Sequence, residues 1–455
     1  MKYLPLLAAL SLAACSIPSS SDVPVTRAAV AESALPPMKV FQTSAPRAPR
    51  RSNDDIAADF LDLHFQLESG RQLPVFTRFE GPITVGVTGN PPASLGPDLS
   101  RLLARLRTEA NIDIRSVGTS TQTPDIVIEA ISRSEIRRSL PQAACFVVPN
   151  VTSLRDFRRS RRSDKTNWTQ LDRRTKMAIF LPYDASPQEV RDCLHEELAQ
   201  ALGPVNDLYR LTDSVFNDDN VHTVLTGFDM LILRAAYDPA LRSGMSRNEV
   251  AARLPGILSA LNPSGNGYPR QPQPDTPRSW INAVQSALGP GSSAQDRRRA
   301  VNRALAIAQN SGWTDHRRAF SHYIAGRMTQ TYDADLAQRH YASAERVFRQ
   351  TPGTERHQAY LAAQTAAYAV SQADGASALR TIAPALPNAR RAENASLLAT
   401  LMLIQAEAYE LTGQYEAARA VRLDSLGWAR YGFGSDWAVR AKMREIAALN
   451  PAPGS

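Results

Sequence analysis

Cysteine is scarce in this chain, with three among 455 residues. The short signatures of common catalysts are missing as well. No phosphate-binding glycine loop stands between a strand and a helix, and no GxSxG elbow occurs, so P-loop nucleotide chemistry and α/β-hydrolase chemistry have no support. The apolar run in the opening "MKYLPLLAALSLAAC" is too short to span a bilayer as a helix. What is present is length and basic charge. A chain of 455 residues exceeds one ordinary core and predicts two or three domains with disordered ends. The hydrophobic fraction of 43% is enough for globular packing. The net charge of +8 comes mainly from arginine and suits anionic lipid, a glycan polymer or plain solvent.

One lysine, a short apolar stretch and small residues before Cys15 read as a secretory signal. Leu12-Ala13-Ala14-Cys15 resembles the bacterial lipobox, in which cleavage leaves the cysteine as a lipid-modified N-terminus; the alternative is a non-lipidated signal with a chance cysteine. The resemblance implies a signal peptide over 1–15, a membrane anchor at Cys15 and a body facing the periplasm. Ser16 lacks the Asp associated with inner-membrane retention, and the choice of membrane stays open. Residues 16–53 are rich in Ser, Pro and Ala and predict a disordered tether. In an oxidising periplasm Cys145 and Cys193 are candidates for one disulfide, with two buried free thiols as the alternative. Nucleic acid is not an expected partner of an exported lipoprotein.

Residues 54–262 read as an α+β domain. It opens with helical spacing and a β-prone "LPVFTRF", followed by strands in "PITVGVTG", "IDIRSVG", "DIVIEAI", "FVVPNV" and "MAIFLP", with a helix in "PDLSRLLARLRTEANI". Between the last two strands lies an insertion with Arg155, Arg158, Arg159, Arg161, Arg162, Lys165, Arg173 and Arg174 around Trp168. It reads as a solvated loop, with binding of phosphate or carboxylate as the alternative. Gly, Pro and Gln then mark a linker over 263–293. An Ala-rich all-α region follows over 294–449, broken at "NSGWTD", "QTPGTE", "QADGAS" and "LTGQYE". Its later part, with Ala406 and Tyr409 ahead of Gly413, Tyr415 and Ala418, resembles a tetratricopeptide repeat; a generic helical bundle is the alternative.

In "SPQEVRDCLHEELAQALGPVND", Ser186 supplies an N-cap, Pro187 the first helical position and Glu189 the third. The helical wheel puts Val190, Leu194, Leu198, Ala201 and Leu202 on an apolar face, with Glu196, Gln200, Gly203 and Asp207 opposite. A zinc peptidase uses such a helix, with two ligands one turn apart, a glutamate beside the first and a glycine at the turn toward a third. The segment resembles the metzincin pattern HExxHxxGxxH aligned on Ala201-Leu202-Gly203. The resemblance puts Glu196, Gln200 and Asn206 at the ligand positions and Glu197 at the general-base position. All three histidines are replaced, and His195 falls one residue out of register. Downstream, Phe216 stands where metzincins carry a methionine turn, and "LTGFDMLILRAAYDP" resembles a matrixin segment with Thr226 as N-cap and Asp229 in the first turn.

The whole stretch is identified as a member of the bacterial domain-of-unknown-function family 2927, which implies a metzincin-like fold without an established activity. Gln and Asn amides are weak donors for Zn²⁺; Ca²⁺ suits the oxygen set better, with Asp207, Asp218 or Asp219 near, and no metal at all is the leading expectation. His195 is an alternative ligand through a helix bulge, or a histidine bonded to a neighbouring carboxylate. The expected function is an envelope lipoprotein whose degenerate peptidase domain binds a polypeptide or peptidoglycan-like polymer, with the helical repeats engaging an envelope protein. The alternatives are a divergent metallohydrolase with Glu197 as base and a purely structural tether.

Overall fold

The computed structural model describes residues 35–41, 47–118, 123–217 and 219–451. The signal segment with Cys15, most of the tether and Asp218 lie outside the described residues.

Strands β1 (Ile83–Gly89), β2 (Ile114–Ser116), β3 (Ile126–Ile131), β4 (Phe146–Pro149) and β5 (Met177–Pro182) form one sheet in the order β2-β1-β3-β5-β4. All pairings are parallel except that of β4, which runs antiparallel to β5 at one edge. Every residue of β5 is buried, as a strand covered on both faces requires. Around the sheet lie α1 (Asn53–Phe65), α2 (Leu95–Glu109), α3 (Arg133–Ser139), α4 (Leu154–Ser160), α5 (Pro187–Leu202), α6 (Gly227–Ala236) and α7 (Arg247–Leu261). One face of the sheet carries the main core, in which Leu102 from α2, Leu198 from α5 and Ile232 from α6 pack with Ile128 from β3. The other carries a smaller aromatic cluster of Phe146, Phe157 and Phe180.

The five strands, including β5 that leads into α5, and the helix α2 that follows β1 lie where the sequence pattern puts them. "LPVFTRF" does not form a strand. Phe76 exchanges backbone hydrogen bonds with the loop at 244–245, donating to Met245 O at 2.8 Å and accepting from Gly244 at 3.0 Å, so the segment straps the core without joining the sheet.

The helical region comprises α8 (Arg278–Leu288), α9 (Ala294–Asn310), α10 (His316–Thr329), α11 (Ala334–Gln350), α12 (Glu355–Ser371), α13 (Gly375–Ile382), α14 (Ala385–Arg391), α15 (Ala395–Leu411), α16 (Tyr415–Phe433) and α17 (Asp436–Ala447). All four expected turns separate consecutive helices. The segment read as a linker over 263–293 contains α8, because Trp280 is fully buried against Trp313 and Phe320 and donates its indole N–H to Ser321 Oγ at 2.9 Å.

The tether is also shorter than expected. Phe41 stacks on Trp428 with ring centres 4.5 Å apart, and Lys39 donates its backbone N–H to Gly427 O at 3.0 Å and pairs with Asp424. Arg51 pairs with Asp59 at 2.6 Å and Asp213 at 3.1 Å. A Ser/Pro/Ala composition predicts disorder on average, but three anchoring side chains suffice to dock both described pieces.

Cys145 and Cys193 are joined, with Cα atoms 5.9 Å apart, tying the approach to β4 to the second turn of α5. The bridge closes a loop 48 residues apart in sequence, which constrains the unfolded chain. Replacing both cysteines by serine should lower stability by about 2–4 kcal/mol. Urea unfolding of the variant and of wild type, with and without reductant, checks this: reductant should move only the wild-type midpoint.

Candidate functional site

Helix α5 begins as its sequence dictates. Ser186 Oγ accepts from the Glu189 N–H and Pro187 occupies the first position, while the Glu189 carboxylate pairs with Arg133. Val190, Leu194, Leu198, Ala201 and Leu202 are buried in the main core.

The opposite face is not an open polar surface. Gln200, Gly203 and Asn206 are buried, and Glu196 and Asp207 are half-buried. The cause is α1, which lies against the end of α5. A Cβ on Gly203 would sit 2.9 Å from His64 Nε2, so glycine is what permits this approach. Val205 donates its backbone N–H to Leu63 O at 2.8 Å, and the Asn206 amide donates to Asp62 O at 3.0 Å. Asn206 is thereby fastened to α1.

Arg174 closes the end of the helix. Its guanidinium donates to Gln200 O and Gly203 O, its Nε to Thr77 Oγ1 at 3.3 Å, and the Tyr237 hydroxyl donates to Leu202 O at 3.0 Å. Burial brings the Arg174 pKa down to about 10, and its guanidinium carbon lies 5.5 Å from the Trp168 ring centre. The reading of the insertion as a solvated loop therefore holds for Arg158, Arg159, Arg161 and Arg162, which are exposed, and fails for Arg174, which is 3% exposed.

Glu197 is also buried, and its Oε2 has no hydrogen-bond partner among the described residues. Burial, reinforced by the nearby charges of Glu196 and Glu68, pushes its pKa well above the ordinary glutamate range. Burial and the neighbouring carboxylates thus favour the protonated form of this group over the ionised one.

His195 points elsewhere. Its Nδ1 accepts from the Leu225 N–H at 3.1 Å, which puts the proton of the neutral ring on Nε2. It borders a void of about 20 Å³ lined also by Asp98, Arg101, Arg105, Arg191 and Glu393. Burial, followed by the charges of Arg191, Arg105 and Arg101, holds its pKa well below the usual histidine range.

Asp219, considered above as a calcium ligand, accepts instead from His357 on α12 at 2.8 Å. Among the described residues no group of three His, Cys, Asp or Glu side chains is placed to hold a metal ion. With Asn206 tied to α1 and Gln200 a neutral amide, the residues present do not fit a zinc centre.

The turn after α5 is organised by Asp229, which is fully buried and accepts from Ser214 Oγ at 2.5 Å, Val215 N–H at 3.2 Å and Thr226 N–H at 2.7 Å. Thr226 and Asp229 form the expected capping box. Phe216 fills the core beneath the turn.

Two residues escape the sequence pattern. His64 stacks on Phe60 with ring centres 4.0 Å apart, gives Nδ1 to Phe60 O at 2.8 Å, and burial lowers its pKa to about 3. Glu68, in the loop after α1, faces Glu197 closely enough to shift it. In "LDLHFQLES" only the four-residue spacing from Phe60 hints that His64 is a packed ring.

Fold and site together define a mixed α/β domain built on a parallel sheet with one antiparallel edge, carrying a glutamate pair on a largely buried helix and continuing into an all-helical region. Residues 53–256 match the family described as "Protein of unknown function (DUF2927)". No curated protein and no solved structure matches the chain.

A raised glutamate pKa makes stability fall as pH rises. Glu197 contributes its full stability below the ordinary pKa near 4.5 and loses it progressively as pH climbs toward the folded-state value. Glu197→Gln, neutral at every pH, should melt with wild type at pH 4 and at a higher temperature than wild type at pH 8. A difference in melting temperature that stays constant between those pH values would contradict the buried neutral carboxyl.

Proposed function

We propose that the chain is a bacterial envelope lipoprotein, anchored through Cys15, whose sheet domain is a metzincin-like scaffold used to bind a polypeptide or cell-wall polymer without hydrolysing it. The tetratricopeptide-like helical region then engages a second envelope protein.

The observation that carries this reading is Glu197. At the general-base position of the resemblance stands a carboxyl whose environment favours its protonated form, and a neutral acid donates a hydrogen bond to a ligand carbonyl more readily than it takes a proton from water. Asn206, at the third ligand position, spends its amide on Asp62. Support for the scaffold comes from β5 leading directly into α5, from the break at Gly203 and from the Thr226 and Asp229 cap. Support for the repeat reading comes from antiparallel helices joined by short turns, with Ala406 and Ala418 buried and Gly413 at φ +73°.

A second reading, a divergent metallohydrolase with Glu197 as base, draws on the same raised pKa, since a base poised nearer neutrality is what such chemistry needs.

The test is incubation of the purified full chain with peptidoglycan sacculi and, separately, with an unfolded polypeptide. The expected result is co-sedimentation or complex formation with intact polymer, unchanged by Glu197→Gln. Cleavage of either polymer that disappears in Glu197→Ala would select the hydrolase. For the anchor, Cys15→Ser should move the protein from the membrane pellet to the soluble fraction of lysed cells; retention in the pellet after a carbonate wash would refute lipid attachment at that residue.

A further inference from the structure

A cavity of about 300 Å³ lies where the 219–221 loop of the sheet domain meets α8, α9, α10 and α12. It is separate from the polar groups of α5. Its apolar and aromatic walls come from Phe320, Tyr323 and Met328 on α10, Leu288 at the end of α8, Tyr360 on α12 and Val221 in the loop, with Asp219, Asn220, Arg297 and Arg327 as polar lining. Phe320 and Tyr323 are nearly inaccessible from outside.

The polar groups on the wall are mostly committed. The Asp219 carboxylate accepts from the Val221 N–H at 3.0 Å and from His357 at 2.8 Å. Arg297 spends its guanidinium on three carbonyls, Ala287 at 2.6 Å, Gly289 at 2.7 Å and Ser292 at 3.2 Å, capping the end of α8. The Tyr360 hydroxyl accepts from the Asn394 amide at 2.7 Å.

Arg327 is different. It is exposed, sits 5.9 Å from the centre of the Tyr323 ring, bonds to the Tyr323 hydroxyl, and has no carboxylate paired with it among the described residues. With Asp219 offset by Arg297, the lining carries one surplus positive charge, placed beside an aromatic wall.

A concave site of this size with apolar walls and one oriented cation is built for a small amphipathic anion. We propose that the cavity binds an apolar acid, with the carboxylate on Arg327 and the hydrophobic group against Phe320, Met328 and Tyr360. The same chemistry is offered by the C-terminal residue of a peptide and by a short fatty acid. A planar guanidinium receives a carboxylate through paired N–H donors, and its hydrogen bond to the Tyr323 hydroxyl restricts the side chain before the ligand arrives. Because the loop and the helices both contribute walls, an occupant would strengthen the contact between the two regions of the chain.

Isothermal titration of the full chain with N-acetyl-L-phenylalanine, its methyl ester and decanoate tests this. The acid should bind saturably and raise the melting temperature, and the uncharged ester should bind about tenfold more weakly. Arg327→Gln, an exposed change that leaves the ligand-free melting temperature in place, should weaken the acid about tenfold and leave the ester alone. Met328→Trp, which fills the cavity, should abolish both. Tighter binding of N-acetyl-L-phenylalanine than of decanoate assigns a peptide terminus, and the reverse order assigns a fatty acid. Failure of both acids to bind at millimolar concentration overturns the proposal, as does acid binding that Arg327→Gln leaves unchanged.

Discussion

The end of α5 depends on one buried cation. A helix leaves its last carbonyls unsatisfied and carries partial negative charge there, and a guanidinium brought out of water is costly unless it meets such acceptors. Arg174 and the α5 terminus solve each other's problem, since two carbonyls receive the guanidinium and Thr77 receives its Nε. With the end fixed there, Gly203 leaves the helix at a backbone conformation that turns the chain under α1, and Asn206 reaches Asp62. The placement of Glu196, Glu197 and Gln200 follows from that anchor point together with the Cys145 link to Cys193 in the second turn.

Helix α5 is also where the helical region attaches. Gln188 exchanges hydrogen bonds with Asn394 at 3.1 Å and Ser396 at 2.9 Å, Arg191 reaches Glu393 O at 2.5 Å, and the Tyr431 hydroxyl donates to Asp98 Oδ2 on α2 at 2.9 Å. The first turns of α5 serve the contact between the regions, and its last turn is fastened to α1. A helix held at both ends and bridged in the middle has little freedom to rearrange, and its polar side chains are fixed in position before any ligand arrives.

Local signals were read well from the sequence because their physics is local. Alternating or continuous apolar runs produced the strands, Ser186 and Thr226 produced helix starts, and glycine-containing turns produced the breaks between helices. What escaped was decided by partners far away in the chain. Arg174 looks like every other arginine of its insertion until Gln200 and Gly203 meet it. Trp280 makes a helix of a proline-flanked stretch only because Trp313 and Phe320 complete its pocket. "LPVFTRF" has strand composition but finds its hydrogen bonds in the loop at 244–245. Wheel geometry carried no information that α1 would pack against Gly203 and Asn206 at the end of the Glu196 face.

The same distinction governs the glutamate pair. Adjacent carboxylates on a helix suggest catalysis only while they are imagined in water. With Glu196 and Glu68 near and Glu197 itself buried, the charged form of Glu197 is disfavoured and its pKa rises. Its Oε2 has no hydrogen-bond partner among the described residues, which adds to the cost of burying it charged. The raised pKa of Glu197 thus follows from its burial, not from the identity of the two glutamates alone.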